Sequence, residues 1–120
     1  MKVRQILSRF YVNDMDKAIE LYEKVLNEKC TSRFQYPQVN LEIARIENIL
    51  IISGSDEALK PFRSTNATFL VDSVAEFKEF LLCTGATVIR DIREVPTGLN
   101  MTVQHSDGNT IEYVEHINAQ

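Results

Sequence analysis

Along the first part of the chain, the spacing of hydrophobic positions changes from a period of two to a period of three or four. Apolar and polar side chains alternate over residues 4–12, which predicts a β-strand with two distinct faces. After Asp14, a typical N-cap residue, apolar side chains recur every three or four positions from Met15 to Leu26. This spacing predicts an amphipathic helix that packs on one face of the strand.

The same change of period returns about half a chain length later. Phe10-Tyr11-Val12 and Phe69-Leu70-Val71 occupy equivalent places, each at the end of a predicted strand and just before a predicted helix. The repeat therefore predicts an α+β domain of two tandem βαβββ modules. The predicted modules are residues 4–54 and 65–116, joined by a polar connection over residues 54–64. The second helix is predicted at residues 73–84. The later strands are predicted at residues 30–36, 39–46 and 48–53 of the first module and at residues 86–95, 99–105 and 110–116 of the second.

Composition narrows the classes of function. The chain has 120 residues, of which 44% are hydrophobic and 25% charged, a balance typical of one globular domain. The net charge is −4 and no basic cluster offsets it, which argues against nucleic acid and against a membrane surface as partner. Since no secretory signal is evident and Cys30 and Cys83 form no CxxC motif, we expect a cytoplasmic location and two reduced, partly buried thiols.

Two segments carry a resemblance to a known family. They are the strand-Asp-helix opening at residues 10–26 and the turn Asp107-Gly108-Asn109, which leads into Glu112 on the last strand. In order and spacing they resemble the vicinal oxygen chelate superfamily, which includes glyoxalase I, bleomycin-resistance proteins and extradiol dioxygenases. The resemblance implies two modules that form a curved, half-open mixed sheet barrel with the helices on its outer face. It also implies a ligand cleft that is often completed by a homodimer partner.

The resemblance implies four metal-ligand positions, which fall on Leu7, Ile51, Asn66 and Glu112. Leucine and isoleucine offer no donor atom, and an asparagine offers only a neutral amide oxygen, so Glu112 is the one good ligand among them. We therefore expect neither a metal ion nor another cofactor. Two histidines remain, His105 beside a turn and His116 near the end of the chain, and both are expected at the solvated surface.

Strand alternation selects the candidate ligand-binding residues. It directs Arg9 and Tyr11 away from the first helix, and an inward arginine needs an anion or another acceptor. Glu112 would contact the ligand or act as a catalytic base. The alternatives left open are an internal Arg9–Glu112 ion pair and a core role for Tyr11. The remaining candidates are Asn66 and Thr68, which could instead be a solvated strand face, whereas Tyr22, Phe77 and Phe80 are predicted to be core residues.

The leading functional hypothesis is a metal-independent protein that binds a small organic ligand in a cleft completed by a homodimer. The alternative is an enzyme, a glyoxalase-like lyase or isomerase or a dioxygenase, that uses Glu112 and a non-standard metal site. A third hypothesis is an interaction domain whose cleft is filled by its own side chains. The sequence has no GxGxxG, GxxxxGK[ST], GxSxG or HExxH motif, so other common catalytic classes lack support.

Overall fold

A computed structural model of the chain describes residues 1–117, which divide into two compact units. The N-terminal module is residues 8–64, and the C-terminal module is residues 65–117 together with residues 1–7. The strands are β1 (Val3–Val12), β2 (Ser32–Tyr36), β3 (Leu41–Ile46), β4 (Ile49–Ser53), β5 (Ala67–Val71), β6 (Thr87–Val95), β7 (Gly98–Gln104) and β8 (Thr110–His116). The helices are α1 (Met15–Leu26), α2 (Asp56–Leu59) and α3 (Val74–Cys83), with a 3-10 turn at Pro37–Val39.

The two modules have the same strand order and strand directions. In the N-terminal module β1 lies parallel to β4, which is antiparallel to β3, which is antiparallel to β2. In the C-terminal module β5 lies parallel to β8, which is antiparallel to β7, which is antiparallel to β6. Each module is therefore a βαβββ unit with a mixed sheet, and the predicted α+β repeat is confirmed.

In the N-terminal module, α1 packs on one face of the sheet. Its buried residues Met15 and Ala18 contact a cluster that includes Ile51, and the ring of Phe10 meets Tyr22 of α1 edge-on at 5.0 Å. The Asp14 side chain accepts the Lys17 backbone N–H and so begins the helix. The prediction that Phe10 faces the helix is confirmed.

In the C-terminal module, α3 buries Val74, Phe77 and Leu81 against β7 and β8. The predicted core position of Phe80 is wrong, because Phe80 lies about 100° around the helix from Leu81 and is 49% exposed. Cys83, at the end of the same helix, is also exposed rather than partly buried, whereas Cys30 is half-buried as expected.

The connection between the modules contains a helix that the sequence pattern did not predict. The Ser55 side chain accepts the Ala58 backbone N–H, and one helical turn places Leu59 against Leu41 and Ile52 with no solvent exposure. A helix of four residues is too short to show a helical period in the sequence. Because Leu41 and Ile52 lie on the opposite side of the sheet from α1, this segment fills that side of the N-terminal module with apolar side chains.

Over residues 1–117, no helix combines the length and the apolar character that crossing a membrane requires.

Leu59→Ala should lower the free energy of unfolding by about 2–5 kcal/mol, because it leaves a cavity beneath α2. Leu21→Ala on α1 removes the same atoms from a side chain that is 53% exposed. This control should change stability by no more than about 0.5 kcal/mol. Urea unfolding of both variants measures the difference, and equal losses would mean that α2 does not anchor the module.

Gly98, the first residue of β7, has φ +148°, and a Cβ there would lie 2.1 Å from the Glu115 carbonyl oxygen. Gly108 also has a positive φ, +95°, but a Cβ there would meet no atom within 4 Å. Gly108→Ala should therefore cost only backbone strain of about 1–2 kcal/mol. Gly98→Ala should cost at least about 2 kcal/mol more, because β7 and β8 must separate. Equal unfolding midpoints for the two variants would contradict this contact.

Candidate functional site

A row of paired residues crosses the C-terminal module on the face away from α3. Thr68 of β5 pairs with Glu112 of β8, Glu112 pairs with Thr102 of β7, and Thr102 pairs with Arg90 of β6. Asn100 lies two residues from Thr102 on β7 and so shares this face. We call Thr68, Asn100, Thr102 and Glu112 the polar face. Three of them are nearly buried, with exposures of 1% for Thr68, 7% for Asn100 and 6% for Thr102.

Two neutral donors hold the Glu112 carboxylate in place. The Thr68 hydroxyl donates to Oε1 at 3.0 Å, and the Asn100 amide Nδ2 donates to Oε2 at 3.0 Å. Arg93 Nε in turn donates to Asn100 Oδ1 at 3.4 Å, which fixes the orientation of the amide. A carboxylate has about four acceptor positions, so this arrangement orients a group that can accept a hydrogen bond from a ligand.

In the N-terminal module the structure brings Arg9 and Tyr11 together. Arg9 Nε donates to the Tyr11 hydroxyl at 2.7 Å, and that hydroxyl donates to the Phe62 carbonyl at 2.5 Å. The guanidinium carbons of Arg9 and Arg63 lie 5.4 Å and 5.9 Å from the centre of the Tyr11 ring, a distance range for cation–π contact. Tyr11 thus ties the segment that follows α2 to β1 and is at the same time part of the apolar cluster around Leu59.

The remaining candidate, Asn66, lies at the exposed start of β5. Its side-chain oxygen accepts the Thr110 backbone N–H at 3.0 Å, and its own backbone N–H donates to the Thr110 carbonyl at 2.7 Å. Asn66 therefore serves the pairing of β5 with β8, whereas Thr68 belongs to the polar face. Sequence reasoning missed Asn100 and Thr102, although the alternation of polar and apolar residues from Leu99 to Val103 is the strand signal that could have found them.

The metal-ligand positions that the sequence resemblance implies need one correction. Ile51 lies beneath α1, so it cannot face a site on the opposite side of the sheet. Its neighbours Leu50 and Ile52 lie on that opposite side and offer no donor atom. The register repeats between the modules, since Arg9 pairs with Leu50 as Thr68 pairs with Glu112.

A divalent ion does not fit these positions. The implied positions supply the Glu112 carboxylate and the Asn66 amide, and residues 50–52 add only aliphatic side chains, whereas a tightly held ion needs several anionic or imidazole donors. Leu7, the other implied position, is a buried apolar residue. Within residues 1–117, no group of three or more His, Cys, Asp or Glu side chains is placed to hold a metal ion.

His105 is not the solvated side chain that the sequence predicted. It is half-buried, and its Nε2 lies 2.6 Å from the hydroxyl of Tyr113, a core residue of β8 that also contacts Phe69 and Phe77. His105 follows β7 two residues after Val103, which faces α3, and this direction carries the imidazole to the core. His116 is exposed at the end of β8, as expected.

Comparison with solved structures places the fold. An uncharacterized protein from Methanosarcina mazei is 57% identical, with a TM-score of 0.94 over 100% of this chain and 98% of that one. Methylmalonyl-CoA epimerase from Mycobacterium tuberculosis is 18% identical, with a TM-score of 0.77 over 95% of this chain and 89% of the epimerase. A Streptomyces coelicolor methylmalonyl-CoA epimerase variant in complex with 2-nitronate-propionyl-CoA is 12% identical, with a TM-score of 0.79 over 99% of both chains.

No family model and no curated protein matches the sequence. Because the two epimerases are only 18% and 12% identical to this chain, their likeness to it is one of fold.

The buried Tyr113 predicts a loss of stability at alkaline pH. Burial raises the pKa of Tyr113 from 10.0 to about 12, so the folded protein favours the neutral phenol. The stability that the neutral phenol contributes is fully present below pH 10 and is lost as the pH rises through the folded-state pKa of Tyr113. Between these values the free energy of unfolding should fall by roughly 2–3 kcal/mol more in the wild type than in Tyr113→Phe.

Urea unfolding of both proteins over this pH range measures the difference. Tyr113→Phe also loses the contact with His105, which changes its stability at every pH. The free energy of unfolding of each protein is therefore taken relative to its own value near neutral pH, and the slopes against pH are compared. Tyr36→Phe, which removes a phenol from a half-buried strand position outside this core cluster, is the control. Identical slopes for wild type and Tyr113→Phe would contradict the assignment.

Proposed function

We propose that the chain is a member of the vicinal oxygen chelate superfamily, the group of the glyoxalases and bleomycin-resistance proteins, and that it is a metal-independent protein that binds a small organic ligand. The observation that carries the proposal is the oriented carboxylate of Glu112. It lies on a face of nearly buried polar side chains, and its two oxygens accept hydrogen bonds from Thr68 and Asn100.

The two modules differ in what they offer to a ligand. On the side away from α1, the N-terminal module packs its own apolar residues Leu59 and Phe62 against Tyr11. On the side away from α3, the C-terminal module carries hydroxyl, amide and carboxylate groups. Ligand sites use a small number of fixed polar groups to orient the bound molecule. This contrast supports a ligand contact at Glu112, with Thr68 and Asn100 as positioning residues. Arg9 and Tyr11 remain ligand-binding candidates of the N-terminal module, and Asn66 remains a candidate at the start of β5.

The proposal includes a homodimer that completes the cleft and a cytoplasmic location. Both follow from the sequence resemblance and composition. Within residues 1–117, neither cysteine forms a disulfide, which is consistent with a reducing compartment. Sedimentation of the purified protein measures the dimer, and a monomer at all concentrations would remove that part of the proposal.

A second candidate is catalysis with Glu112 as a general base. It is favoured by a specific observation, since an oriented, half-buried carboxylate is suited to remove a proton from a bound substrate. The structural neighbours that are methylmalonyl-CoA epimerases are enzymes by name. Turnover of a bound ligand that disappears in Glu112→Gln would favour this candidate over binding alone.

Titration calorimetry with Zn²⁺, Mn²⁺, Ni²⁺ and Mg²⁺ tests metal independence. The purified protein should release no stoichiometric ion on dialysis against a chelator, and the dialysed protein should take up none of the four ions. None of these ions should change its melting temperature. One tightly bound ion per chain, removed by Glu112→Gln, would contradict the proposal.

Glu112→Gln tests the binding role. In a melting-temperature screen of small organic acids, their amides and coenzyme A thioesters, ligands that stabilise the wild type should bind Glu112→Gln at least tenfold more weakly, a loss of about 1.4 kcal/mol. Glu79→Gln, which removes the same charge from an exposed position on α3, should bind as the wild type does. If no compound of the panel binds, or if both variants bind equally well, Glu112 is not part of a ligand site.

A further inference from the structure

Two irregularities in β6 decide which of its side chains share a face with Glu112. Val88 pairs with Val103 of β7, so a regular ladder would place Ile89 opposite Thr102 and Asp91 opposite Asn100. The observed register instead places Arg90 opposite Thr102 and Arg93 opposite Asn100, with shifts between Val88 and Arg90 and between Arg90 and Arg93. In a regular strand, residues three apart point to opposite faces. Here the shifts bring both arginines to one face.

The two residues that the shifts displace from these pairings, Ile89 and Asp91, lie at the surface. Ile89 is 49% exposed. Asp91 is exposed, accepts a hydrogen bond from Lys78 Nζ of α3 at 2.8 Å, and accepts its neighbour Ile92 N–H at 2.7 Å. Val88 and Ile92 still pack on the core cluster beneath α3. The shifts therefore keep the core side of β6 and change the residues that its other side presents.

This exchange reverses the local charge. A regular β6 would add the Asp91 carboxylate to the face that already carries Glu112 and would turn Arg90 toward the core side, whereas Arg93 would lie on the Glu112 face in either case. The observed strand presents Arg90 there in place of Asp91, so two guanidinium groups lie on this face, and that of Arg93 contacts Glu112 through Asn100. Each irregularity interrupts the ladder of hydrogen bonds, and β-bulges of this kind are frequent beside functional sites, where they redirect side chains. The same exchange keeps Arg90 out of the core beneath α3, where a regular β6 would place it between Val88 and Ile92.

We infer that Arg90 and Arg93 form an oxyanion subsite beside Glu112, so that the ligand is a small organic acid with a carboxylate or phosphate group and a nearby hydroxyl or amine. The inference rests on the proposed ligand site and adds its chemical class. A guanidinium group binds the planar pair of oxygens of a carboxylate, or two oxygens of a phosphate, through parallel hydrogen bonds. When it is ionised, Glu112 accepts hydrogen bonds, so it suits the hydroxyl or amine group of the same ligand.

The test compares each acid with its uncharged analogue. Calorimetry measures the affinity of the full chain for small hydroxy- and aminocarboxylic acids, for the corresponding carboxamides, and for phosphate monoesters and inorganic phosphate. The wild type should bind the anions at least tenfold more tightly than the amides. Arg90→Gln and Arg93→Gln should each remove most of this preference, so that an acid binds little more tightly than its amide. Arg93→Lys, which keeps the charge and loses the fork of donors, should bind between the wild type and Arg93→Gln.

Lys78→Gln is the matched control, because it removes one positive charge from α3, on the other side of β6. It should bind the anions as the wild type does, and an equal loss in this variant would overturn the subsite. Equal affinity of the wild type for an acid and its amide, with binding that still depends on Glu112, would also overturn it while the proposed binding function stands. No saturable binding of any compound would contradict both. A preference for carboxylates or for phosphates supports the subsite and identifies which oxyanion it serves.

Discussion

Each module depends on one packing contact, that of a helix with one face of a four-stranded sheet. In the N-terminal module this contact buries Met15 and Ala18 against Ile51, and in the C-terminal module it buries Phe77 and Leu81 against β7 and β8. Since successive residues of a strand point to opposite faces, the contact that fixes the core also fixes which residues face away from it. The chemistry of the opposite face is therefore a consequence of register.

The two opposite faces are used differently. In the N-terminal module, Leu59 and Phe62 cover the sheet, and Tyr11 anchors their segment through its hydroxyl and the Phe62 carbonyl. In the C-terminal module, the corresponding side of β8 presents Glu112, and its hydrogen bonds run to Thr68 and Asn100. Register relates Arg9 and Leu50 of one module to Thr68 and Glu112 of the other. A repeat of the same fold thus packs Leu59 and Phe62 on this side in one copy and carries Thr68, Asn100 and Glu112 there in the other.

The sequence predicted the helices and strands whose hydrophobic residues recur with a clear period. The helices α1 and α3 have amphipathic spacing, and the strand ending at Val12 alternates, so their positions and the side of Phe10 followed from the sequence. The direction of Ile51 did not, because β4 begins with four consecutive aliphatic residues, Ile49 to Ile52, and an unbroken apolar run carries no information about faces. Placing Ile51 at a metal position was therefore wrong by one residue. The helix α2 was missed because one turn has no period.

The candidate site was harder to predict than the fold for the same reason. Glu112 and Thr68 came from the repeat and the resemblance, whereas Asn100 needed the pairing of β7 with β8 to connect it to them. Nothing in the spacing of Arg90 and Arg93 predicts a shared face, since residues three positions apart in a regular strand point to opposite faces and only the irregularities of β6 align them. The chain as a whole carries a net charge of −4, which repels anions at long range. The proposed oxyanion subsite must therefore act through charges fixed within a few ångströms of the ligand, where screening is weakest. In the proposed subsite, Arg90 and Arg93 supply such charges. Glu112 adds selectivity to the proposal, because its negative charge disfavours an anion that lacks a hydrogen-bond donor.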